Sequence, residues 1–128
     1  MDEKEFEDLV TRALEGLKAV FPHALDNVAV CVEYHPRKAS RKAVGLRMHE
    51  TLLGLYEGVP RTKRSFGEGW MYPDKVTLFM QPILATAQDS GRPAADVIRE
   101  VVWHEVGHAL GLDEKRARAA ERRRREKV

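Results

Sequence analysis

The residues best equipped for chemistry in this chain are His104, Glu105 and His108, in the segment VVWHEVGHALGLDE. They form an HExxH pattern. On a helix, two histidines four positions apart leave the same face, close enough for both imidazoles to reach one metal ion. The glutamate lies about 100° further round, near a water that such an ion would hold. From there it can take the water's proton, while zinc lowers that water's pKa and polarises a carbonyl. The residue types and their spacing point to zinc-dependent hydrolysis, with His104 and His108 as ligands and Glu105 as base.

The surroundings of the motif support this. At about 100° per residue, Val97, Ile98, Val101, Val102, Val106, Ala109 and Leu110 share one broad apolar arc, with Asp96, Glu100 and Gly107 opposite. His104, Glu105 and His108 fall inside that arc, towards one edge. Three ionisable groups on a buried face are costly unless something pairs with them, and a metal ion would do so. The plainer alternative is a pair of hydrogen-bonded core histidines beside a salt-bridged glutamate. Catalytic zinc usually has three protein ligands. Glu114, six residues after His108, occupies the third-ligand place of an HExxHxxGxx(ligand) arrangement. Asp113 is its competitor, though a helix N-cap role explains it well, and Glu121 is a more distant candidate.

The elements that must position this helix can be read from periodicity. Residues 2–21 read as an amphipathic helix, with Phe6, Leu9, Val10, Leu14, Leu17 and Phe21 at helical spacing and Asp2 and Glu5 at capping-box spacing. Pro22 stops it. Asn27 to Tyr34 alternates as a strand, with Val28, Val30 and Val32 on one face. Thr51 to Glu57 reads as a buried strand and Lys75 to Met80 as a third. QPILATAQ forms a short helical stretch, ended by Ser90-Gly91-Arg92-Pro93, and the motif helix runs from about 93 to 110. Gly111 is placed to end that helix. The loops HPRKASRKAVG and RTKRSFGEGW carry no readable element. The order predicts an α+β fold in one domain, 1–128.

Composition sets the bounds. At 128 residues, with 43% hydrophobic and 33% charged, the chain suits one globular core and is too apolar for disorder. No stretch approaches the roughly 20 apolar residues of a membrane span. The acidic start MDEKEFEDLV does not resemble a signal peptide. The lone Cys31 cannot form an internal disulfide, so the cytoplasm is the expected location. One asparagine, two glutamines and abundant arginine lean towards heat adaptation. The net charge of +2 is uneven. Residues 114–128 hold eight Lys or Arg and three Glu, leaving 14 basic against 17 acidic residues elsewhere. This basic tail is helical in propensity, and a solvated helix is the favoured reading. Nucleic acid is a less favoured partner, because no aromatic residue interleaves the charges.

Three segments, ALDNVAVCVE (24–33), LLGLYEGVP (52–60) with PDKVTLFMQPIL (73–84), and VVWHEVGHALGLDE (101–114), together resemble a family of small bacterial zincin-like metallopeptidases. The resemblance spans residues 21–114 and stops before the Arg-rich end. It implies a minimal zincin fold, a short sheet of about three strands packed on the N-terminal and HExxH helices, and peptidase activity on a peptide or protein. Carried over by position, His104 and His108 look like zinc ligands and Glu105 like the base. The family usually has aspartate where this chain has Glu114, which keeps a carboxylate with one more methylene. No methionine follows the motif, so there is no Met-turn.

By analogy with such enzymes, Lys75 to Met80 is the candidate edge strand for an extended substrate, being the last before the motif helix. Tyr56 and Tyr72 offer hydroxyls to a developing oxyanion, though packing explains each more simply. His23, His35 and His49 lack ligand spacing and read as surface or loop residues, and Trp103 reads as packing. Two other functions stay open. One is a metal-dependent RNA hydrolase, which related three-histidine motifs without the glutamate serve. The other is a zinc-binding protein of this fold without turnover.

Overall fold

A computed structural model describes residues 1–38, 52–58 and 74–110. The elements run α1 (Glu3–Val20), β1 (Val28–Glu33), β2 (Gly54–Glu57), β3 (Asp74–Phe79), α2 (Met80–Ser90) and α3 (Ala94–Ala109). Among the described residues this is the small α+β architecture expected of a minimal zincin-like fold, with three helices and a three-stranded mixed sheet. Asp2 caps α1 by accepting a 2.8 Å hydrogen bond from the Glu5 main-chain N–H, which satisfies one otherwise orphaned donor of the first turn. Gly91 closes α2 with a left-handed φ of 67°, where a side chain would be strained.

The strands lie in the order β1-β3-β2, with β1 parallel to β3 and β2 antiparallel to it. The expectation that residues 75–80 form an edge strand is therefore wrong: β3 is the central strand. Its composition gives the physical reason. Val76, Thr77, Leu78 and Phe79 are all buried, so both faces of the strand are covered, as for a strand with neighbours on each side and layers above and below. Among the described residues the outer strands are β1 and β2.

In the register, Val30 lies beside Val76 and Val76 beside Tyr56, while Val32 lies beside Leu78 and Leu78 beside Gly54. Residues paired in this way share a face, and this face packs with α1 and α3 around Phe6, Leu17, Ile98, Val102 and Val106. Each fully buried Leu, Ile or Phe there contributes about 1.5–3 kcal/mol relative to an exposed position.

One detail of the motif helix differs from the sequence reading. Gly107 was placed on the solvent side, yet it is buried together with Trp103 one turn earlier. The ring of Phe21, just after α1, meets Trp103 edge to face at 6.1 Å, so α3 is covered on this side too. Among the described residues, no helix is long and apolar enough to cross a membrane.

Candidate metal centre

The last two turns of α3 carry the three candidate residues. His104 and His108 stack one turn apart, with ring centroids 4.5 Å apart, as i and i+4 positions must. Glu105 lies between them and deeper. Its carboxylate is 3.8 Å from His104 Nε2 and 4.0 Å from His108 Nδ1. The side chains of the histidines are 39% and 43% exposed, against 10% for the glutamate. The imidazoles are therefore half-exposed, and the carboxylate is tucked beside them at greater depth. Ligand atoms of all three residues lie within 4.8 Å of one another.

Burial pushes the Glu105 carboxyl from an ordinary 4.5 up to about 7, opposed by a hydrogen bond accepted from the Tyr56 main-chain N–H. That bond comes from the neighbouring strand, and the ladder shows which side of it. Phe79 N–H donates to the Leu53 carbonyl at 3.0 Å, so residues 53 and 79 form a hydrogen-bonded pair. In an antiparallel ladder such pairs alternate with non-bonded ones. Gly54 and Tyr56, opposite Leu78 and Val76, thus turn their main-chain N–H and C=O groups away from β3. Tyr56 N–H projects from the outer edge of β2, and Glu105 reaches round to meet it. Among the described residues no further strand pairs with that edge.

Two imidazoles and a carboxylate on one helix face match the donor chemistry zinc takes. The partly desolvated carboxylate sits beside the two half-exposed imidazoles, where a cation would stabilise its charge. The residues present fit a zinc ion.

Several sequence candidates do not come together here. His23 is exposed and pairs with Asp26 at 3.0 Å, and His35 is exposed against Tyr34; both match the surface reading. Tyr56 packs its ring edge to face on His108 at 6.4 Å, and its hydroxyl oxygen is buried, which matches packing rather than an oxyanion donor. Trp103 is buried, as expected. The third-ligand candidates Glu114, Asp113 and Glu121, with Gly111, Tyr72, His49 and the basic tail 114–128, lie outside the described residues. Sequence reasoning missed Gly54 and the Tyr56 N–H. A glycine inside a strand does carry a signal, since it often marks close approach of another backbone or side chain.

Over residues 25–123 the chain matches the family described as zincin-like metallopeptidase, and it belongs to that family. The match runs past residue 114 into the Arg-rich end, where the sequence resemblance was expected to stop. No individual curated protein matches the chain.

Proposed function

We propose that the protein is a zinc-dependent peptidase in which His104 and His108 hold the metal, Glu114 completes the ligand set and Glu105 is the general base. The observation that carries this reading is the placement of Glu105. It is a buried carboxylate set beside two half-exposed imidazoles and tied to the outer edge of a strand. When bound, zinc supplies Lewis-acid chemistry, lowering the pKa of a water to about 7 and polarising a carbonyl oxygen.

Glu105 takes a proton from the attacking water as the water oxygen bonds to the scissile carbonyl carbon. It then returns that proton to the leaving nitrogen as the C–N bond breaks. The substrate is an extended peptide laid along β2, whose outward N–H and C=O groups at Gly54 offer main-chain partners. This replaces the edge first assigned to residues 75–80. The RNA-hydrolase alternative draws its support from the basic tail alone, and the carboxylate at position 105 counts against it.

The test is cleavage of a peptide library by the zinc-loaded protein and by Glu105→Gln. The reading predicts cleavage by the natural chain and a loss of about 10²–10⁴-fold in the variant, the usual contribution of a positioned base. Equal rates in the two proteins would remove Glu105 from the reaction.

A further inference from the structure

Gly54 is buried in β2 and faces α3. Among the described residues only Asn27, Gly58 and Gly91 have positive φ, so conformational freedom does not explain a glycine here. Space does. A Cβ at position 54 would lie 2.7 Å from Val101 Cγ1, 3.0 Å from Glu105 Cγ and 3.3 Å from the Thr77 carbonyl oxygen. Val101 and Glu105 are one helical turn apart on the same face of α3, so two successive turns settle on the strand at the one residue without a side chain.

Two residues further along the same strand, the Tyr56 N–H bonds the Glu105 carboxylate. Gly54 and Tyr56 therefore grip one side chain at two points, the first at its methylene stem and the second at its charged end. We infer that Gly54 is a positioning residue for Glu105: the bare backbone at 54 sets the depth of the carboxylate, and that depth lets it reach the Tyr56 N–H at the strand edge. The role as positioner of a base rests on the peptidase reading; the grip itself does not.

The contact with Val101 and the contact with Glu105 can be separated. Gly54→Ala creates both clashes. Adding Val101→Ala removes the tighter one and gives the new methyl room, while the stem of Glu105 stays obstructed. Amide hydrogen exchange of Tyr56, followed by NMR in the metal-free protein, reads the Glu105 bond directly. In the natural chain and in Val101→Ala this amide is protected, although it points away from β3. In Gly54→Ala and in the double variant it exchanges at least ~10-fold faster, as a lost local hydrogen bond requires.

The melting temperature of the double variant recovers towards that of Val101→Ala, since the packing clash is relieved. Cleavage by the zinc-loaded double variant stays about 10–100-fold below that of Val101→Ala, the cost of a misplaced group. Natural Tyr56 protection in the double variant would overturn the inference and leave Gly54 as a packing residue only. Absence of cleavage by the natural chain would instead sink the peptidase reading, with the exchange result still deciding the role of Gly54.

Discussion

Glu105 carries opposing demands that make its energetics testable without a substrate. Burial holds its carboxyl at about 7 against an ordinary 4.5, so the unfolded chain releases this proton before the folded one does. In the metal-free protein the stability linked to this group is therefore fully present below pH 4.5. It falls between 4.5 and 7 and is gone above that. Glu105→Gln removes the ionisation. Metal-free Glu105→Gln should be more stable than the natural chain at pH 8, by on the order of 2–3 kcal/mol, with the gap closing below pH 5. Urea denaturation at several pH values measures this, and a gap independent of pH would contradict it. Bound zinc reverses the preference, because a cation beside the carboxylate favours its charged form. Among the acidic candidates for third ligand, Glu114→Ala should weaken zinc binding more than Asp113→Ala or Glu121→Ala, as zinc titration against a chromophoric chelator would show.

The motif helix was legible because its information is local: a 3.6-residue apolar period and two histidines at i and i+4 fix which side chains meet. β1 was legible for the same reason, through the alternation of Val28, Val30 and Val32, which pack on the core. The rank of β3 in the sheet was not, because strand order depends on pairing between distant segments. Chain order suggested an edge, whereas the unbroken buried run Val76 to Phe79 was the better guide. Gly107 was misplaced because a helical projection shows only the face that meets the sheet. It does not show that Trp103 meets Phe21 on another side. The tie between Tyr56 and Glu105 left no sequence signal, since any residue but proline supplies that N–H. The N-cap of α1 was visible and can be checked: Asp2→Ala should cost about 0.5–2 kcal/mol of stability, read by chemical denaturation. Leu78→Ala, at a fully buried position of the central strand, should cost about 2–5 kcal/mol.

For the molecule as a whole, the sheet, α1 and α3 share one core, and the candidate metal centre stands on a face of α3 that this core holds in place. Binding at the centre should therefore report on global stability. Zinc at about 100 times its dissociation constant adds about 2.7 kcal/mol to a protein that binds it only when folded. The melting temperature should rise with zinc, fall with a chelator, and stop responding in His104→Ala and His108→Ala. The measurement that bears most directly on the account is the zinc content of the purified protein by elemental mass spectrometry, with the same two variants alongside. The account predicts about one zinc per chain, the complement of a mononuclear catalytic site, and its loss in both variants. A natural chain that holds no zinc after reconstitution at neutral pH, or variants that keep it, would contradict a metal centre built on His104 and His108.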